Sequence, residues 1–175
     1  AGRLESLCAA DNPPEGILCD RLLELKNRFE ATALNEIRLD HARLFLGPFV
    51  LAAPPFGSVY LDKERNLMGE STQDAVEIYR EAGLDMADSF KNPPDHIVAE
   101  LEFLAYLYSA RAIADPETAE KLDEVTHRFL TRHLNAWIEP FTRKVEQKAR
   151  TGFYQLLAEL TRKAVENRKN LSFLC

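Results

Sequence analysis

The sequence predicts an all-α protein: a single-domain helical bundle with one long ordered loop at about residues 47–70. Three observations carry that expectation. Apolar residues recur at helical spacing along most of the chain, only seven of its 175 residues are glycine, and 46% hydrophobic with 29% charged residues is the ordinary balance of a globular domain. A chain of this length buries roughly two thirds of its unfolded surface, so residues 1–175 are expected to form one domain without a metal or disulfide staple.

Ile17, Leu18, Leu22 and Leu25 share a helical face, and Pro13 and Pro14 suit a first turn, which predicts a helix over 14–26. A second run through Phe29, Ala33, Leu34, Ile37, Ala42, Leu44 and Phe45 is expected to end at Gly47-Pro48, with the glycine as a left-handed cap. Residues 47–70 lack helical period but hold Pro54-Pro55 and the aromatics Phe49, Phe56 and Tyr60. A connection this long and this apolar is expected to be ordered, either as a functional loop or as a lid whose aromatics tuck into the core. Ser71 with Asp74 three residues later resembles a capping box, and Gly83 is expected to close that helix. Residues 84–91 read as a linker. Further helices are expected from Pro93, over 116–134, from near Trp137, and over 152–168.

The net charge of −6 argues against nucleic acid as the main partner, because that affinity comes from clustered Lys and Arg; a basic peptide suits the chain better. Cys8, Cys19 and Cys175 are odd in number and form no C-x-x-C pair, so neither a disulfide framework nor a metal site is expected, and a reducing cytoplasm is the expected location. The most apolar stretch, 44–56, is broken by Gly47, Pro48, Pro54 and Pro55, so stable membrane insertion is not expected. AGRLESLCAA lacks a basic region followed by an apolar core, which argues against export, and its opening Ala leaves room for a few residues ahead of it.

The richest stretch is NPPDHIVAELEFLAYLY, Asn92 to Tyr108. With Asn92 as N-cap, Pro93 takes the first helical position and Asp95 the third, where a carboxylate faces the positive end of the helix dipole. His96 then falls one turn before Glu100, beside the stripe Ile97, Leu101, Leu104 and Tyr108, so Glu100 is expected to border the core with His96 as a partner. Asp95, His96 and Glu100 read as a satisfied polar patch, a recognition site or an acid–base pair. No nucleophile elbow, phosphate loop, dinucleotide fingerprint or H-E-x-x-H accompanies them, and no catalytic residue is assigned.

The loop PPFGSVYLDKERNLMGEST (Pro54 to Thr72), followed by NPPDHIVAELEFLAYLY, then HLNAWIEPF (His133 to Phe141) and FYQLLAEL (Phe153 to Leu160), resembles the TorD/DmsD family of redox-enzyme maturation chaperones. The resemblance covers the chain apart from its first 30 or so residues, and its specific part is the combination of the Gly-Ser-x-aromatic-Leu-Asp-x-Glu loop with Pro-Asp-His. It implies an all-helical cytoplasmic chaperone that binds the twin-arginine signal peptide of a molybdenum-containing oxidoreductase and assists its maturation before export, without catalysis. Carried over by position, Ser58 and Tyr60 fall in the loop motif, Asp62 and Glu64 are its acids, and Asp95 and His96 are the Asp-His of the helix start. Where relatives often have tryptophan in this loop, this chain has Phe56 and Tyr60.

The residues fit that implication, since a leader that pairs arginines with an apolar stretch wants carboxylates beside an apolar groove. Asp62, Glu64, Asp95 and Glu100 are the candidate carboxylates, and Phe56, Val59, Tyr60 and Leu61 the candidate apolar surface. Arginine also stacks on tyrosine. The partner expected is therefore the leader and its molybdoenzyme precursor. A general helical interaction scaffold and a nucleotide-binding protein are the alternatives. No cofactor is expected, and the residues specify neither a contact with the molybdenum cofactor or a guanine nucleotide nor an oligomeric state.

Overall fold

The computed structural model describes residues 16–47, 51–63 and 67–166, with side chains from Cys19 onward. The described residues form eight helices and no strand, an all-α architecture: α1 Gly16–Ala31, α2 Leu34–Phe45, α3 Ser58–Leu61, α4 Glu70–Glu81, α5 Ile97–Arg111, α6 Pro116–Arg132, α7 Leu134–Lys148 and α8 Gly152–Glu166. They fall into two compact units. Residues up to Ala53 with those from Thr142 onward make the first, and Pro54–Phe141 make the second.

In the first unit α1 packs on α8. Arg21 reaches Glu159 at 2.5 Å, Arg28 donates to the Gly152 carbonyl at 2.9 Å, and Phe29 lies 5.4 Å from Phe153. Asp40 on α2 is buried at 2% exposure and anchors the start of α8. Its Oδ2 accepts the Arg150 and Thr151 N–H groups at 2.9 and 2.8 Å and the Thr151 hydroxyl at 2.9 Å, while Oδ1 accepts from Arg43 at 2.7 Å. Burial pushes this carboxyl up, but the donors from Thr151, Arg43 and Arg150 together outweigh it and hold it below the usual range.

The second unit is organised around an aromatic core. Phe103 of α5 meets Tyr79 of α4 at 4.6 Å and Phe129 of α6 at 4.8 Å, and His133 stacks on Phe129 at 5.2 Å. Asp115 caps α6 by accepting the Thr118 N–H at 3.0 Å, with Pro116 next in the first turn. Gly83, at φ +79°, ends α4 as expected: the Leu84 N–H returns to the Tyr79 carbonyl at 2.9 Å, a left-handed closure that glycine adopts without a Cβ penalty.

Several local expectations are corrected. The first helix runs on to Ala31, so Phe29 belongs to its last turn and the second begins only at Leu34. That helix ends at Leu46 in an extended conformation, and Gly47 is not left-handed. The expected starts at Pro14 and the aromatic Phe49 lie outside the described residues. Ser71 is no N-cap: α4 starts at Glu70 after Gly69, and Asp74 turns instead to His133 and Arg132. The helix expected near Trp137 begins at Leu134, and the long loop contains the one-turn helix α3.

Candidate functional site

The Pro-Asp-His stretch is not built as a helix beginning at Pro93. Residues 93–96 form a turn, with the His96 N–H on the Pro93 carbonyl at 3.0 Å, and α5 starts at Ile97 with His96 as its N-cap. The His96 Nδ1 accepts the Val98 N–H at 3.1 Å, which requires that nitrogen to be unprotonated. Asp95 therefore stands outside the helix and is free to serve the loop.

It does so through a clasp. The Gly57 N–H donates to the Asp95 carbonyl at 2.9 Å and the Ile97 N–H to the Pro55 carbonyl at 2.9 Å, an antiparallel bridge between Phe56 and His96. Across it the Asp95 Oδ2 accepts the Ser58 N–H at 2.7 Å, satisfying the first donor of α3. Asp95 is 1% exposed, and Ser58 is fully buried. Phe56 and His96 meet edge-on at 5.3 Å, and Phe90 covers His96 from the linker at 6.2 Å. Burial holds the His96 imidazole below its ordinary pKa, and the neighbouring Asp95 charge pulls it partly back.

Beneath the loop lies a second buried contact. Glu100 lies in the core and not at its border: it is fully buried, and its Oε2 accepts the Trp137 Nε1–H at 2.9 Å, while its bond to His96 is a backbone one, from the Glu100 N–H to the His96 carbonyl at 3.1 Å. Desolvation drives its carboxyl well above the usual range, with the indole donor opposing and the Asp95 charge adding, so burial here disfavours the charged form. Tyr60 stacks on the same indole at 5.6 Å and 20° and meets Phe141 at 6.3 Å. Its hydroxyl, pushed upward by burial, donates to the Pro54 carbonyl at 2.9 Å. A Cβ on Gly57 would approach Glu100 Oε1 at 3.1 Å and Trp137 Nε1 at 3.2 Å. Close approach thus favours glycine here, since any Cβ would press on the Glu100 carboxyl and the Trp137 indole.

The predicted site residues therefore divide. Ser58, Asp95 and Glu100 are buried and build the seat of the loop; Phe56, Tyr60, Asp62 and His96 are partly exposed. Asp62 Oδ1 accepts the Ser71 N–H at 3.2 Å, tying the far end of α3 to α4. Glu64 lies outside the described residues. Phe56 and His96 share one contact, whereas Tyr60 faces Trp137 and Phe141. Asp95 and His96 turn to different partners, Ser58 and Val98, so they do not form an acid–base couple. Among the described residues, no group of three or more His, Cys, Asp or Glu side chains is placed to hold a metal ion. Trp137, Phe90 and Tyr79, whose hydroxyl donates to the Pro94 carbonyl at 3.0 Å, complete the arrangement without standing among the predicted site residues, and Gly57 enters that prediction only as part of the loop motif. Trp137 had a signal, as the lone tryptophan in HLNAWIEPF.

Residues 13–143 match the nitrate reductase delta subunit family, and the chaperone protein TorD of Shewanella loihica is 29% identical over 155 residues, covering 85% of this chain and 67% of that protein. The Tat proofreading chaperone DmsD of Salmonella typhimurium is 33% identical over 120 residues, covering 69% of this chain. The chain belongs to the TorD/DmsD family. It spans 54% of the length of that DmsD protein. A crystal structure from Archaeoglobus fulgidus, described as a redox enzyme maturation protein, aligns with a TM-score of 0.59 over 94% of this chain and 91% of its own at 22% identity, which shows the same fold. These TorD/DmsD relatives are named as chaperones, not as catalysts, and the clasp between the Gly-Ser loop and Pro-Asp-His joins the two motifs that carried the family resemblance. No helix among the described residues is long and apolar enough to cross a membrane.

Proposed function

We propose that this chain is a cytoplasmic chaperone that binds the twin-arginine signal peptide of a molybdenum-containing oxidoreductase and assists maturation of that precursor before export. The observation that carries the reading is the clasp itself, in a chain of the TorD/DmsD family: Asp95 and the Phe56–His96 bridge hold the Gly57–Ser58 turn and α3 in one position. A rigid loop presents its partly exposed Phe56, Tyr60, Asp62 and His96 without ordering cost at the moment of binding. Aromatic rings and a carboxylate suit an arginine-bearing apolar peptide through stacking and charge-assisted hydrogen bonds. The formal charge of −6 favours encounter with such a basic segment.

The test is capture of the client. The tagged chain is recovered from its native cytosol alongside an isogenic strain whose oxidoreductase precursor lacks its leader. The precursor is expected in the first eluate and its loss in the second; recovery of many unrelated proteins in both would instead support a general interaction scaffold.

A further inference from the structure

A groove of about 440 Å³ opens away from the clasp, lined from the linker by Leu84, Met86 and Phe90 and from α5 by Ala99, Glu102 and Phe103. Its volume lies within the range of about 300–1,000 Å³ typical of ligand pockets. Phe90 also contacts His96, so the groove begins where the clasp ends. Its lining mixes these apolar side chains with Tyr79, Ser89 and two acids, Asp85 and Glu102. Asp85 Oδ1 accepts the Met86 N–H at 2.8 Å, and neither acid has an ion-pair partner among the described residues. Some surface acids of this unit are paired, Asp123 with Arg111 and Glu117 with Lys121, and others such as Glu77 and Glu120 have no ion-pair partner among the described residues; Asp85 and Glu102 differ from these in lining a groove. Glu102 also stands between Val98 and Tyr106, one turn away on either side, which are 44% and 39% exposed. On α5 two exposed apolar side chains therefore flank the unpaired Glu102 carboxylate that lines the groove.

We propose that this groove seats the apolar stretch of the client leader, with a leader arginine paired to Glu102 or Asp85. The inference rests on the leader-binding reading above and adds where the peptide lies. Charge complementarity selects the occupant: an apolar segment alone would leave both acids unpaired, and an acidic segment would be repelled.

The probe is a synthetic peptide with two adjacent arginines ahead of a leucine-rich stretch that carries a benzophenone crosslinker, titrated against the full chain by fluorescence anisotropy. Glu102→Lys is expected to weaken binding on the order of tenfold or more at an unchanged melting temperature. Glu102→Gln, which keeps the shape of an exposed side chain, should weaken it by a smaller factor and replaces the lysine variant if that one misfolds. Crosslinks should fall on residues 84–90. Wild-type affinity in both Glu102 variants, with crosslinks elsewhere, overturns the groove while the leader-binding reading survives, because the peptide still binds. Failure of the unaltered protein to bind the peptide overturns both.

Discussion

Gly57→Ala isolates the contact on which the loop rests. Gly57 has φ −59° and ψ −43°, a conformation open to any L-residue, so alanine there carries no backbone strain. On backbone grounds alone the change would stabilise by about 0.4–1 kcal/mol, through a less flexible unfolded chain. Sterics oppose it: the new Cβ would lie 3.1 Å from Glu100 Oε1, 3.2 Å from Trp137 Nε1 and 3.4 Å from Trp137 Cε2. Both side chains are 0% exposed, so neither can swing into solvent. Overpacking of this kind costs about 1–3 kcal/mol, which leaves a net destabilisation of about 1 kcal/mol. For a chain of this size that lowers Tm by about 2–4 °C. Thermal melts of Gly57→Ala, Glu100→Ala and the double variant supply the assay. The cost of the alanine should shrink when Glu100 is absent, giving an interaction energy of about 0.5–3 kcal/mol. A Gly57→Ala protein that melts higher than the parent, or a strictly additive cycle, would refute the claim that Glu100 and Trp137 close on the glycine.

Asp95→Ala leaves the buried Ser58 N–H without an acceptor and should cost about 1–3 kcal/mol in chemical denaturation, with hydrogen exchange rising in residues 55–61; Asp95→Asn, which keeps an acceptor, should cost less. Asp40→Ala strands the Thr151 and Arg150 donors and should cost about 2–4 kcal/mol. Because the folded Asp40 carboxyl is held below its unfolded value of 3.8, its contribution is complete above that pH and lost as pH falls through the folded value, so Asp40→Asn should flatten the acid limb of a stability–pH curve. Glu100 has the opposite sign: its folded pKa lies above the unfolded 4.5, so its contribution is complete below that pH and lost as pH rises, and Glu100→Gln should gain stability relative to the parent between pH 5 and pH 8. His133 and His96, both depressed chiefly by burial, should contribute above their unfolded 6.5 and lose that contribution as pH falls, which His133→Gln melts at pH 5 and pH 7.5 would reveal as a smaller acid loss.

Local chemistry wrote the helices plainly. Asp115-Pro116 at the start of α6 and Gly83 at the end of α4 act through neighbours within five residues, and their spacing is enough to read them. The Asn92 cap failed for a local reason as well: Pro93 precedes Pro94, and a residue before proline is pushed out of the helical region, so the helix waits until His96 closes it. The site is different in kind. Asp95 meets Ser58 and Glu100 meets Trp137, each 37 residues away, and nothing in either local pattern names the partner. Asp95, read as a capping acid of its own helix, instead satisfies the first N–H of another. Glu100 reads as a boundary residue because a carboxylate at the edge of an apolar stripe is expected to stay near water; fully buried, it is instead a core group whose side chain accepts one hydrogen bond, from Trp137. Ser71 and Asp74 matched a capping pattern, but Asp62 holds the Ser71 N–H and His133 holds Asp74.

The most direct test of leader recognition is a calorimetric titration of the full chain with the leader of an oxidoreductase encoded in the same genome, run beside a peptide in which both arginines are lysine, at low and at high salt. Arginine offers a planar fork that stacks on Tyr60 or His96 and pairs bidentately with a carboxylate, whereas lysine is a point charge. The native leader is expected to bind, more weakly at high salt as charge pairs are screened, with a marked loss for the lysine peptide. Equal affinity for the two peptides, or no heat of binding at either salt, would contradict leader recognition.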